Sequence, residues 1–342
     1  MDLIRPTDGA SGESGPAGTP DSGRPATARA VAVLVLVALA ALIPLLGPSV
    51  TLDGTGEAAA PGVGAVGVLR ALLFGALCVP VGELFVRRLA DRLPGARPER
   101  ARSWGPYAAG VGFVAALGLA SVVATGNLVP HSLAAIDVGG LYASRDGKLA
   151  LLEVNGFATA GLCALSARPA TQIWPLAAVA ATEALRAHPA SELDPLTGSA
   201  LTFVHLTCAA LWVGGLLYVL RTLSLWGAAR EAGVALLGLY ARVAAVLLAL
   251  ITATGIWSTL RRMPPDTVLD QLASTAYGRT LLAKVILVAA VAVLALWARL
   301  RLRRAADPLT ACSPARAEVV ALGLVVAVSG LLTALPVPIR WT

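Results

Sequence analysis

Charge is what this sequence has least of. Only 14% of its 342 residues are Asp, Glu, Lys or Arg, while 57% are hydrophobic and the mean hydropathy is +0.75. A soluble domain carries about a quarter charged residues; a chain this lean could not cover its surface in water. Soluble enzymes and secreted disulfide scaffolds are excluded. Lysine is almost missing, with Lys148 and Lys284 the only two among 27 basic residues. Histidine occurs three times, methionine twice (Met1 and Met263) and cysteine four times, as Cys78, Cys163, Cys208 and Cys312. No two cysteines form C-x-x-C, so neither a disulfide framework nor a C-x-x-C-H haem attachment is indicated. There is no G-x-x-x-x-G-K-[ST] loop and no H-E-x-x-H pair, which removes the nucleotide-driven pump and the zinc protease. A net charge of +7 and a pI near 9.7 would suggest nucleic acid in a soluble protein. Here the arginines fall mostly in short loops, so the excess reads as membrane topology and no nucleic-acid partner is expected.

What is there in quantity is long apolar runs. A bilayer-crossing helix needs about 20 such residues. Blocks of that kind occupy roughly 28–46, 66–86, 105–126, 149–165, 171–187, 199–220, 236–258, 277–299 and 316–336. The fold class is therefore an all-α polytopic membrane helix bundle of about nine transmembrane helices, with eight as the alternative because the fourth and fifth blocks carry Glu153, Asn155 and Glu183. Residues 1–27 are rich in Gly, Pro, Ser and Thr without periodicity and read as a disordered cytoplasmic tail. Residues 28–342 form the transmembrane domain.

Short loops rich in Arg stay on the cytoplasmic side. Loop 87–104 holds Arg87, Arg88, Arg92, Arg97, Arg100 and Arg102, and loop 300–315 holds Arg301, Arg303 and Arg304. The alternate loops carry far fewer. This places the N-terminus inside and the C-terminus outside a cell membrane. The chain also hints at a parallel repeat. Ala124-Thr125-Gly126 recurs as Ala253-Thr254-Gly255, and Gly147-Lys148 with Glu153 recurs as Gly278-Arg279 with Lys284, at offsets of 129 and 131 residues. Blocks two to five would then match blocks six to nine in the same orientation, a construction known among transporters. Glu153 and Lys284 would face each other, or each would extend to the interface.

The three histidines gather on one side under this topology. His131 lies in outer loop 127–148, His188 in outer loop 188–198, and His205 in the first turns of the sixth helix. Neutral imidazole is a common ligand for copper and zinc. In the sixth helix His205, Cys208 and Trp212 share a face, and an imidazole and a thiol one turn apart suit a soft ion such as Cu(I). The candidate metal ligands are therefore His205, His188, His131 and Cys208; the plain alternative is a hydrogen-bonded His205 with Cys208 and Trp212 only packing.

His205-x6-Trp212-x-Gly214-Gly215, Thr254-Gly255 and Thr275-x-Tyr277-Gly278-Arg279-x-Leu281-Leu282-x-Lys284 together resemble the copper-resistance D (CopD/PcoD) family of inner-membrane proteins. Ala187-His188-Pro189-Ala190 is similar to that family's loop histidine. The motifs fall within 185–342. The resemblance implies a non-enzymatic protein that accepts copper at the extracytoplasmic face and imports it or supplies it to cuproprotein assembly. The ligand it implies is copper, as Cu(I), with no nucleotide. The chain departs from the family in its scarcity of methionine and in its ninth block. A soluble extracytoplasmic copper carrier is the expected partner besides the lipid bilayer, steered by Asp137, Asp146, Glu192 and Asp194 in the outer loops. Two other readings stay open: a b-type haem electron-transfer protein, which would need a second histidine at the depth of His205, and an assembly factor that moves no copper.

The topology is directly testable. A reporter active only in the cytoplasm is expected to work in loop 87–104 and to be silent when fused after Thr342; activity at Thr342 would mean an even number of spans.

Overall fold

In a computed structural model, the described residues are 42–94, 100–192, 194–226, 230–263, 265–304 and 312–336. Two compact units divide the chain at Ala38, and the first lies wholly outside the described residues, as do the tail and most of the first apolar block. Among the described residues, the regular structure of the second unit is all helical. Its elements are α1 (Leu42–Leu52), α2 (Val63–Ala90), α3 (Gly105–Ala124), α4 (Val138–Ala143), α5 (Arg145–Leu165), α6 (Ile173–Arg186), α7 (Pro195–Trp226), α8 (Arg230–Arg262), α9 (Val268–Ser274), α10 (Ala276–Arg304) and α11 (Cys312–Ala334). Each of the nine apolar blocks falls on one of these helices, the first by its last residues only. Six of them, α2, α3, α5, α7, α8 and α10, are long and apolar enough to cross a membrane. The 14-residue α6 and the apolar stretches Leu42–Leu52 and Val319–Ala334 are shorter. The protein is a multi-pass helical bundle.

The two short helices, which periodicity alone does not announce, sit at matching places. Helix α4 runs directly into α5, and α9 directly into α10. Ser144 caps α5 by accepting from the Gly147 amide at 3.0 Å, and Thr275 does the same for Gly278 at 2.9 Å. Hydroxyl side chains are favoured there because they satisfy an amide the helix leaves open. Gly147 and Gly278 are glycines for one reason. A Cβ would stand 2.3 Å from the Leu141 carbonyl oxygen in the first case and 2.0 Å from that of Gln271 in the second. The motif pair is thus one structural device used twice, a short helix folded onto the start of a long one.

Packing follows the repeat with one break. Helix α2 packs on α3 as α7 does on α8, α5 on α6 as α10 on α11, and α6 on α7 as α11 on α2. Helix α3 also lies along α5, where Gly112 lets the Phe157 ring sit on its backbone. Their counterparts α8 and α10 are not packed along each other; a hydrogen bond from Arg262 to the Tyr277 hydroxyl at 3.1 Å joins their ends. One core gathers Leu73, Leu77, Ala116, Phe157 and Val179 from α2, α3, α5 and α6. A second gathers Val86, Trp212, Leu236, Val291 and Leu322 from α2, α7, α8, α10 and α11. Little of α10 is covered, 11% of its apolar window against 50% for α3, as suits a helix solvated by lipid.

The halves meet where α2 crosses α7. A Cβ on Gly82 would lie 1.9 Å from the Gly214 carbonyl carbon, and one on Gly214 would lie 1.8 Å from the Cys78 oxygen. Both obstacles are backbone, so nothing can yield. Gly214→Val is expected to cost about 3 kcal/mol or more, at or above the usual range for overpacking, read as loss of a monodisperse peak or a lowered melting point in detergent. Gly75→Ala, on the partner helix α2 but with open space around it, is the control that keeps parental stability.

Candidate functional site

The residues around His188 and His205 occupy the end of the bundle where α2, α5, α7 and α10 begin and α6 and α8 finish. His188 follows α6 by two residues and folds back onto α7. Its ring rests on Gly198, where a Cβ would stand 2.4 Å from Nδ1. Nδ1 lies 2.6 Å from the Glu192 carboxylate and Nε2 lies 2.9 Å from Thr202 Oγ1. A carboxylate only accepts, so Nδ1 carries the proton and Nε2 is the nitrogen with the lone pair. The ring is buried, and burial holds its imidazole below the ordinary histidine range, with Glu192 pulling the other way. Arg261 at the end of α8 anchors this loop, donating to the Asp194 carbonyl at 2.8 Å and lying 3.7 Å from Glu192.

His205 is one turn further along α7 than Thr202, on the same face. Its Nδ1 lies 3.0 Å from Thr254 Oγ1 on α8. The Thr254 hydroxyl reaches the carbonyls of Leu250 at 2.7 Å and Ile251 at 3.1 Å. With its one hydrogen given to the backbone, Thr254 accepts from His205, and Nε2 of His205 again keeps the lone pair. Gly255 lies beside the ring, 3.6 Å from its Cε1 even with a Cβ added. Lys284 of α10 is within electrostatic reach.

The other two candidates stand apart. His131 is exposed in the loop over the start of α2. Cys208 is buried one turn below His205, packed with Trp212, Leu247 and Ile251. Among the described residues no group of three or more His, Cys, Asp or Glu is gathered as a ready-made metal cage. The four acids of the outer loops differ in use. Asp137 caps α4 and Asp194 caps α7 while both stay exposed; Asp146 is exposed beside Arg145; Glu192 is half-buried against His188.

Glu153 and Lys284 do not face each other. Glu153 is bonded to Arg186 at 2.5 Å, and Glu183 of α6 to Arg70 of α2 at 2.6 Å, all four at this same end. The repeat offset that aligned Glu153 with Lys284 carries no information on which neighbour supplies the counter-charge. Thr202, Glu192 as a histidine partner, Gly198 and the Arg70–Arg186 pair went unnoticed in the sequence. The signal for the last was available, since arginine inside or at the edge of an apolar block requires a carboxylate.

His188 binds fewer protons folded than unfolded, so its contribution to stability is intact above the ordinary histidine value and is lost as pH falls below it. Thermal unfolding in detergent should therefore drop with acidity more steeply in the parent than in His188→Gln; parallel curves would show that the ring is not held neutral.

The family model described as copper resistance protein D matches residues 234–332. That stretch begins within α8 and runs into α11, so it holds Thr254-Gly255 and the Thr275–Lys284 motif but not His188, His205 or Cys208. No curated protein and no solved structure matches the chain. The chain is thus a multi-pass helical membrane protein whose residues 234–332 are similar to copper resistance protein D.

Proposed function

We propose that this protein accepts copper at the extracytoplasmic end of α7, on His188 and His205, and passes it inward or to cuproprotein assembly. The observation that supports the reading is shared by both rings. Each donates its Nδ1 hydrogen to a fixed acceptor, Glu192 or Thr254, and keeps the Nε2 lone pair. Metal-binding histidines are oriented in this way, by a second group that fixes the tautomer and raises ligand basicity. Two imidazoles suit a linear Cu(I) ion. His188 would give up its contact with Thr202 to bind, which places the ion within a turn of His205. Cys208, one turn deeper on the same face, is the next soft ligand along the helix. Asp137, Asp146 and Asp194 remain exposed at the outer face to steer a cationic carrier.

In this reading the residues inside the matched segment have positioning work. Thr254 holds His205. Arg279 ties α10 to the turn after α1 through the Asp53 carbonyl at 2.6 Å and to the end of α9 through the Ala273 carbonyl at 2.8 Å.

His205→Ala and His188→Ala are each expected to reduce copper bound by purified protein while membrane levels stay normal. Thr254→Val should weaken binding by about 10–100-fold, the usual effect of losing a group that orients a ligand. Parental copper binding in both histidine variants would move the site elsewhere, and a Soret band in the purified protein would favour haem over copper.

A further inference from the structure

His188 carries a contact that stands against its proposed use. The two ring nitrogens have opposite duties. Nδ1 lies 2.6 Å from Glu192 Oε2 and holds the hydrogen, because a carboxylate only accepts. Nε2 is left with a lone pair, and Thr202 Oγ1 lies 2.9 Å from it. A ring nitrogen without a hydrogen can only accept, so the Thr202 hydroxyl donates.

The other threonines show that this donation is a departure. A threonine inside a helix can return its hydroxyl hydrogen to the carbonyl four residues back. Thr182 does so to Ala178 at 2.8 Å, Thr222 to Tyr218 at 2.9 Å and Thr280 to Ala276 at 2.8 Å. Thr254 does so to Leu250 at 2.7 Å, and therefore accepts from His205 instead of donating. Thr202 makes no such bond to Gly198; among the described residues His188 is the one partner of its hydroxyl. The ring is held within reach of that hydroxyl from two sides. Gly198, one turn before Thr202, makes room for it, since a Cβ there would stand 2.4 Å from Nδ1. Arg261 lies 3.7 Å from the Glu192 carboxylate that binds Nδ1.

We propose that Thr202 is a latch on His188, its hydroxyl occupying the lone pair that a metal ion needs and so setting the affinity of the outer site. The latch rests on the copper reading of His188. One lone pair takes either a hydrogen or a metal ion, so the two states exclude each other. Opening requires only rotation about the Thr202 Cα–Cβ bond, which sends Oγ1 back to the Gly198 carbonyl in the manner of Thr182, Thr222 and Thr280. The His188 ring keeps its seat on Gly198 and its bond to Glu192, with Nε2 bare and facing α7 one turn before His205. Apparent affinity is the intrinsic affinity reduced by the fraction of molecules with the latch open. One neutral hydrogen bond is at stake, which corresponds to about 2- to 10-fold.

Thr202→Val keeps the shape and removes the donor. Competitive titration of Cu(I) against a chelator, on the full chain in detergent without oxygen, should show this variant binding about 2- to 10-fold tighter than the parent. Thr202→Ser, which keeps the hydroxyl, should return to the parental value. Unchanged or weaker binding in Thr202→Val overturns the latch. His188→Ala separates it from the copper reading: if that variant loses copper and Thr202→Val gains none, the latch alone fails, and if it binds like the parent, both fail. A second measurement needs no copper. With three histidines in the chain, the 15N resonances of labelled imidazoles can be assigned by removing each ring in turn. Thr202→Val should move the His188 Nε2 resonance toward that of an unbonded ring nitrogen and leave those of His205 in place; a stationary Nε2 overturns the proposal. Thr202→Ala serves in both assays if Thr202→Val fails to accumulate.

Discussion

The close crossing of α2 over α7 is the constraint on which the rest of the molecule depends. Helices in lipid gain nothing from hiding apolar surface from each other, so they associate through close backbone contact. Gly82 and Gly214 permit that contact, each at a place where one added carbon would meet backbone below 2 Å. From this crossing the two halves extend in the same sense. Helix α11 reaches across to α2 and α6 reaches across to α7, so each half closes the other. Gly330 repeats the arrangement at a smaller scale, its missing Cβ leaving room for Ala71 on α2.

Much of this was legible in the chain because bilayer physics writes itself in blocks. Eight of the nine apolar runs lie on described helices and the first reaches one only by its last residues, while the offset motifs became paired structural devices, since capping residues and glycines are read locally. The short helices α4 and α9 were hidden because six or seven residues show no period, although Asp137 and the Ser144 and Thr275 caps marked where they begin and end. His205 and Thr254 were both visible as motif residues. That one orients the other was not, because the 49 residues between them close through helix packing. His188 was singled out, but its seat was not, since nothing in Gly198 or Thr202 distinguishes them from other small residues on a membrane helix.

The charges show where sequence alone falls short. Hydropathy gives the cost of Glu153 in a span but not its remedy, which comes from Arg186 on the next helix and, through Glu183, from Arg70 on α2. Removing one member of such a buried set leaves an unpaired charge, about 3–5 kcal/mol in comparable cases. At the other end of α2, Glu83 is tied to Arg87 at 2.7 Å and to the Trp104 amide at 3.1 Å, while Arg221 stacks 3.6 Å above the Trp104 ring. Both ends of α2 thus carry ionic contacts where the apolar core runs out, Arg70 with Glu183 of α6 and Glu83 with Arg87.

The same position in the repeat has opposite sign in the two halves, and the packing beside it differs. Glu153 in α5 is drawn to Arg186, and α5 lies closed against α3 and α6. Its counterpart Lys284 in α10 has Arg262 of α8 as an electrostatic neighbour, and α11 offers no acid beyond Glu318. Helices α8 and α10 stay apart along their length. The half closed by ion pairs holds Glu153 and Glu183, whereas the half left open has His205 on its α7 wall, bonded to Thr254 of α8.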